Sequence, residues 1–343
     1  MAGIEFYKKE NRTFLLDPNG NFSRKELAFE VRKDPLTEHK SRILPFRRRK
    51  LSERETSSEV IEASRKGCPF CPDQILSLTP KFIPEIVPEG RIQKREASLF
   101  PNSFPYAQFN WVVVLSQEHF LNLDQFSIQI LRDGFLLGQE GMARLGLKGV
   151  EFKYTSINWN YLPQAGGGII HPHLQLVMED EPTSSHKEVL EGLRRYQTEN
   201  NSFFWEDLLS EEIKRGERYI GRMGDIHFLI SFSPIGILGE ILLLFSGRTA
   251  IKELNTKDWE DLSRGLIRVF RFFREKHIES FNLSIFSGNE REVSSWVYGR
   301  VCPRIILPPW NTSDINYFEK LHDEVISVVS PEEMCEEIKP FFK

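Results

Sequence analysis

Two stretches of this chain present the same order of elements, and that repetition narrows the fold more than any other feature. A strand near Trp111–Leu115 is followed by a helix from about Asp124 to Leu145, with Phe126, Ile130, Leu137 and Leu145 among its apolar positions. A strand near Val150–Ile157 comes next. Farther along, strands near His227–Phe232 and Glu240–Phe245 precede a helix from about Lys257 to Lys276. That helix buries Trp259, Leu262, Leu266, Ile267 and Phe270, and strands near Asn282–Phe286 and Val297–Leu307 close the series. Strand–helix–strand in both halves predicts an α+β fold built from a duplicated unit, divided here as 1–215 and 216–343. Around this frame, residues 1–50 read as a strand-rich entry with turns at Asp17-Pro18-Asn19-Gly20 and Asp34-Pro35. Residues 51–66 read as a polar loop or short helix. Residues 180–218 read as polar helices whose Phe203-Phe204-Trp205 patch belongs to the core. Ser330-Pro331-Glu332-Glu333 reads as a capping box opening the last helix.

One strand of the first half carries chemistry. Gly166-Gly167-Gly168 lets the backbone approach a ligand closely, and Ile169-Ile170-His171-Pro172-His173-Leu174-Gln175-Leu176-Val177 then alternates. Alternation places His171, His173, Gln175 and Val177 on one face and Pro172, Leu174 and Leu176 on the other. Imidazole binds metals, attacks phosphorus or shuttles protons near neutral pH, and a carboxamide can donate to a phosphoryl oxygen. Taken alone, the pair fits a metal site as well as a catalytic one.

Cys68-Pro69-Phe70-Cys71 is the second pointer. A short, proline-bounded loop suits a knuckle presenting two thiolates to zinc, and no βαβ pattern surrounds it to favour a thioredoxin-like pair. Cys302 and Cys335 stand alone, so further ligands are expected to be histidines. The basic run Lys40–Lys50 reads either as a solvated charge cluster or as a clamp for a phosphorylated ligand. A net charge of −4 gives no general reason to expect nucleic acid as a partner. No apolar run reaches membrane-spanning length and MAGIEFYKKENRTF lacks the apolar core of a signal peptide, so the expected location is cytoplasmic.

With these residues in place, the chain resembles the galactose-1-phosphate uridylyltransferases of the histidine-triad superfamily. Their pattern is a Cys-Pro-x-Cys knuckle, an Asn-x-Phe-Pro turn, a Ser-x-x-His after a strand, then Asn, a glycine-containing turn and His-Pro-His-x-Gln. Here it is matched in order by Cys68–Cys71, Asn102-Ser103-Phe104-Pro105, Ser116-Gln117-Glu118-His119, Asn160, Gly166 and His171-Pro172-His173-Leu174-Gln175. The match is densest over about residues 65–180 and looser from 215 onward. It implies two histidine-triad-like halves, each an antiparallel sheet with packed helices, the first carrying the chemistry.

The resemblance further implies zinc held by Cys68, Cys71, His119 and His171, with His173 as nucleophile, Gln175 at the phosphoryl oxygens and Asn160 orienting the site. Asn102 would face the nucleotide ribose, Gly166, Gly167 and Gly168 would line the phosphate, and Arg42 would meet substrate. A four-ligand Cys₂His₂ shell is closed, so such a zinc is structural. The expected partners are a nucleotide sugar and a sugar phosphate or inorganic phosphate, and a homodimer is left open. Three departures stand out. Gly168 replaces the family's serine, Ser103 replaces an acidic residue, and the region Val297–Leu307 has no histidine for the second metal of the uridylyltransferases, which is expected to be missing. Three functions compete: transfer of UMP or another nucleoside monophosphate between sugar 1-phosphates, phosphorolysis of a nucleotide sugar or dinucleoside polyphosphate, and non-catalytic nucleotide binding by a zinc-stabilised protein.

Overall fold

The computed structural model describes residues 3–51, 56–150, 152–287, 295–307 and 309–343. The chain opens with a long hairpin, β1 (Lys8–Asp17) and β2 (Ser23–Lys33). Its turn forms because the Asp17 carboxylate accepts from the Asn19 amide and Pro18 fixes the following φ. β3 (Lys40–Ile43) pairs with the base of the hairpin after the Asp34-Pro35 turn.

Ten further strands make one sheet. They are β4 (Ile92–Lys94), β5 (Ala97–Pro101), β6 (Phe109–Val114), β7 (Tyr154–Tyr161), β8 (His173–Glu179), β9 (Tyr219–Met223), β10 (Ile226–Ile230), β11 (Ile241–Phe245), β12 (Ser280–Ser287) and β13 (Tyr298–Arg304). The spatial order β4-β5-β6-β8-β7-β12-β13-β11-β10-β9 reads the same inward from either edge: a hairpin, a third strand, a fifth, then a fourth. The two repeats are therefore halves of a single antiparallel sheet, joined where β7 meets β12. The short pair β14 (Ile306–Leu307) and β15 (Thr312–Ser313) follows. Next, β16 (Val325–Ser327) lies parallel to β3 and completes a separate four-stranded sheet. The entry strands thus belong to neither repeat. They pair with a segment nearly three hundred positions away in sequence, a long-range closure that no local pattern announces.

One face of the large sheet carries α3 (Ile128–Leu147) and α6 (Thr256–Glu275), which occupy matching places in the two repeats. α3 begins later than periodicity suggests, because Ser127 caps it by accepting from the Ile130 amide and leaves Phe126 as a buried residue before the helix. α6 is started by a reciprocal cap between Asn255 and Asp258. Phe135 of α3 stacks on Trp259 of α6 at 5.2 Å, and both are fully buried. Close seating of α3 on the sheet needs glycine: a Cβ at Gly141 would fall 2.3 Å from Leu99 and 3.2 Å from Trp111.

Among the described residues, apolar layers cover the two ends of the opposite face. Over the second repeat lie α4 (Ser184–Asn200) and α5 (Phe204–Arg215), which bury Val189, Leu193, Phe204 and Trp205 against Leu242, Leu244 and Tyr298. Over the first repeat, the cysteine loop between α1 (Ser58–Arg65) and α2 (Ile75–Leu78) packs Phe70 and Ile75 on Phe100, Val112 and Val114. Residues 52–55 of the polar 51–66 stretch lie outside the described residues. Between the two apolar patches, β8, β7, β12 and β13 present a polar strip: Gln175, Asn158, Asn160, Asn282, Ser284, Arg300 and Cys302.

The chain ends with α7 (Tyr317–His322) and α8 (Pro331–Ile338). Pro331 does occupy the first turn of α8, but the expected capping box does not form. Ser330 Oγ donates to the Glu332 carboxylate at 3.0 Å, and no side chain caps the helix. The box would need Glu333, whose carboxylate lies 3.7 Å from Arg48, while Glu332 accepts two bonds from buried Arg32 of β2, at 2.8 and 2.7 Å, and one from buried Arg218 at 2.8 Å. Among the described residues, no helix is long and apolar enough to cross a membrane.

Candidate active site and metal centre

Four of the residues picked out by motif converge. Cys68, Cys71, His119 and His171 are all buried, and their candidate ligand atoms lie within 4.8 Å of one another. Cys71 Sγ is 3.4 Å from His119 Nδ1, and both sulfurs are 3.8 Å from His171 Nδ1. Two atoms bound to one tetrahedral zinc through ordinary Zn–S and Zn–N bonds would be separated by roughly 3.6 Å. The cluster therefore has the donor set and spacing that zinc takes.

The second ring nitrogens fix the tautomers. His171 Nε2 lies 2.8 Å from the Ser116 carbonyl, which can only accept, so the proton sits on Nε2 and Nδ1 keeps its lone pair. His119 Nε2 lies 2.9 Å from Ser64 Oγ, whose own hydrogen goes to the Ile61 carbonyl, so Nδ1 is again the free base. Burial favours the uncharged forms, pushing His171 down to about 4 and lowering His119. Burial, reinforced by neighbouring Cys68, raises the Cys71 thiol to about 11. A bound cation would reverse that preference, since coordinated thiols are deprotonated.

His173 opens β8, and its Nδ1 sits 2.7 Å from the His171 carbonyl. That carbonyl accepts, so Nδ1 bears the proton and Nε2 holds a lone pair. Burial lowers its pKa and keeps the ring neutral, against the pull of the carbonyl bond. Phe70, from the cysteine loop, meets the His173 ring edge-on at 5.1 Å. The metal cluster and His173 are thus linked twice, through the His171 backbone and through Phe70.

Two carboxamides join His173 as candidates. Gln175, two residues along β8, accepts from Tyr106 Oη at 2.6 Å, which leaves its nitrogen without a partner among the described residues. Asn158 pairs with Gln175 as the last pair of the β7–β8 ladder, and Asn160 follows two residues on along the same face of β7. Asn160 Oδ1 accepts from Asn282 Nδ2 at 2.7 Å, and among the described residues its nitrogen likewise has no partner. In the glycine turn the amides of Gly166 and Gly167 are spent internally, on Pro163 and Leu162. Gly168 is left as the one of the three with an amide that no group of the described residues accepts. The turn is tight: Leu162 enters it with φ of 72°, and Gly166 has φ of 88°.

Two further sequence-predicted residues, Arg42 and Asn102, are engaged by partners of their own. Arg42 lies on β3 in the other sheet, where its guanidinium bonds Glu324 at 2.9–3.0 Å and stacks over Phe318 at 4.9 Å. Asn102 shapes its own turn, donating to Asn110 Oδ1 at 2.7 Å and accepting from the Phe104 amide at 3.0 Å. That turn delivers Tyr106 to Gln175. Neither Tyr106 nor Asn282 carries a signal in the sequence, because each reaches the site through pairing with a distant segment.

In the second repeat β13 stands where β8 stands. It begins with Tyr298 where β8 begins with His173, and Trp296 takes the place of His171. Both aromatic residues are buried, and Tyr298 Oη lies 3.0 Å from His186 Nδ1 of α4. Among the described residues, no cluster of metal-binding side chains forms there.

No family model matches the sequence. In fold the chain is similar to an ADP-glucose phosphorylase from Arabidopsis thaliana with bound ADP-glucose (TM-score 0.69, 17% identity). It is equally similar to a GalT-like protein of the same plant (0.69, 16% identity) and close to a mutant uridylyltransferase (0.66, 15% identity). In each comparison 91% of this chain and 98% of the other are covered. These likenesses establish a shared fold. In sequence, an uncharacterised protein of Archaeoglobus fulgidus is 30% identical over 321 residues, 92% of either chain. A match of that extent, on a fold shared with uridylyltransferases and an ADP-glucose phosphorylase, shows that this chain belongs to the same family as the archaeal protein.

Proposed function

We propose that this protein is a nucleotidyltransferase that passes a nucleoside monophosphate between phosphate acceptors through a nucleotidyl-histidine. The observation that carries the reading is the bond of His173 Nδ1 to the His171 carbonyl, which with burial leaves a neutral ring whose Nε2 keeps its lone pair. The Gln175 and Asn160 nitrogens and the Gly168 amide, on the neighbouring strands and turn, have no partner among the described residues. Nε2 attacks the α-phosphorus of a nucleotide sugar or related diester. The N–P bond forms as the P–O bond to the departing phosphate breaks, and the leaving group takes the electron pair. The imidazole then carries positive charge, which the His171 carbonyl stabilises at Nδ1–H. The nitrogens of Gln175 and Asn160 and the Gly168 amide donate to the phosphoryl oxygens as charge builds. In the second step a phosphate oxygen of the acceptor attacks phosphorus and releases His173.

Cys68, Cys71, His119 and His171 would hold zinc, whose contribution is structural: it clamps the strand start that carries His173. Uridylyl transfer to a sugar 1-phosphate is the pairing to assay first, with inorganic phosphate as the rival acceptor. The experiment is intact-mass detection of an adduct after incubation with UDP-glucose or ADP-glucose, followed by discharge with either acceptor. His173→Gly should fold, bind zinc and form no adduct. An unmodified wild type with every nucleotide sugar tried, or full turnover by His173→Gly, would sink the proposal in favour of nucleotide binding without catalysis.

A further inference from the structure

The second repeat meets the site along the β7–β12 seam, and what it delivers there is a polarity. Asn282 Nδ2 donates to Asn160 Oδ1 at 2.7 Å and to the Ala165 carbonyl, within the glycine turn, at 2.8 Å. Its other end, Oδ1, accepts from Arg304 Nη1 at 2.7 Å. Arg304 is held in turn by Asp314, which accepts from Nε and Nη2 at 2.7 Å each and is itself buried. None of these three residues belongs to the motifs that mark the catalytic strand.

We infer that Arg304, Asn282 and Asp314 are positioning residues that decide which end of Asn160 faces the reacting phosphorus. The inference rests on the nucleotidyl-transfer reading above. A carboxamide has an acceptor end and a donor end of nearly equal shape, so packing cannot choose between them. Guanidinium can only donate. With Arg304 on one side, Asn282 must turn its oxygen there and its nitrogen toward Asn160. Asn160 must then turn its oxygen toward Asn282 and its nitrogen toward His173. A donor is what a phosphoryl oxygen gaining charge requires, and an acceptor there would repel it. The same Asn282 nitrogen holds Ala165, so the glycine turn is registered to the same anchor.

Two measurements test this. Neutron diffraction from deuterium-exchanged wild-type crystals reads the amide orientation directly. Deuterons on Asn282 Nδ2 pointing at Asn160 are expected, and the reverse arrangement would overturn the relay whatever the activity. The second measurement compares the adduct-formation rates of Asn282→Asp and Asn282→Ala. A residue needed only for its shape tolerates the isosteric aspartate better than alanine. The relay requires the opposite order, because aspartate offers oxygen to both Asn160 Oδ1 and the Ala165 carbonyl and forces Asn160 to turn its donor away. Asn282→Asp should be slower than wild type by about 10²-fold, the scale of one lost transition-state donor, and slower than Asn282→Ala. Nucleoside monophosphate affinity should stay within about threefold in both variants, as expected when ground-state binding is untouched. Asn282→Asp reacting as fast as Asn282→Ala, or faster, would refute the relay. A wild type that forms no adduct would instead refute the nucleotidyl reading, while the neutron structure still judges the relay.

Discussion

A methyl group placed on Gly167 would lie 2.9 Å from the Asn160 carbonyl oxygen and 3.0 Å from that of Leu162, both backbone atoms that cannot step aside. Around Gly168 nothing comes within 4 Å of the same position, and its φ lies outside the left-handed region. Neighbouring glycines therefore differ in tolerance. Gly167→Ala should displace the turn, lowering the thermal midpoint and slowing adduct formation at least about tenfold, a cost typical of a small misplacement at a reacting centre. Gly168→Ser should change stability by no more than about 0.5 kcal/mol. Thermal melts run beside the mass assay check both, and a Gly167→Ala protein indistinguishable from wild type would show that the turn does not set the chemistry. The sequence displayed the residues that act through short spacing: two cysteines three apart and two histidines two apart. Tyr106 and Asn282 act through contacts to Gln175 and Asn160 that span 69 and 122 positions, and no periodicity encodes those.

At the scale of elements, the cysteine loop works as a clamp between α1 and the sheet. Ser64 of α1 holds His119, Phe70 lies on Phe100 at 5.6 Å and on His173 at 5.1 Å, and the thiols meet His171. Native protein should contain about one zinc per chain, as four-ligand closure implies. Cys71→Ser should lose that zinc and melt earlier, while Cys302→Ser, remote from the cluster, should keep it. Elemental analysis with thermal melts checks the pair, and equal zinc in both would dismiss the assignment. Helix α6 offers a simpler test. Asn255→Ala removes the acceptor for the Lys257 and Asp258 amides and should cost about 1 kcal/mol in denaturant unfolding. The long helices were readable because their apolar stripes repeat over many turns. The capping box at Ser330 misled because both of its members turn elsewhere: the Ser330 hydroxyl donates to Glu332, which Arg32 and Arg218 hold from far away in the chain, and the Glu333 carboxylate faces Arg48.

At the scale of the whole molecule, that same carboxylate ties the first sheet to the last helix. Burial alone would raise Glu332, but Arg32 and Arg218 outweigh it and hold it down at about 2, against an ordinary 4.5. A depressed carboxylate stabilises the folded state above its unfolded pKa, and the contribution fades as pH falls from 4.5 toward 2. The effect is on the order of 3 kcal/mol near neutrality. Glu332→Gln leaves two buried guanidinium groups without their shared anion and should cost roughly 3–5 kcal/mol at pH 7. Wild type and variant should converge as the pH falls below 4.5, and urea melts across that range check it. A gap that stayed constant with pH would mean that Glu332 is not the titrating link.

The mirrored strand order has a consequence for how this polypeptide can be divided. A cut between Gly216 and Glu217, just past the end of α5, would leave each piece with a raw sheet margin. One piece would bare the outer edges of β7 and β3, and the other those of β12 and β16. Unpaired margins of that kind seek any strand that will have them. Here each fits the other in register over residues 155–161 and 281–287. The pieces made separately should aggregate. Made together they should find one another, reunite Asn160 with Asn282, and recover the proposed nucleotidyl transfer as a two-chain protein.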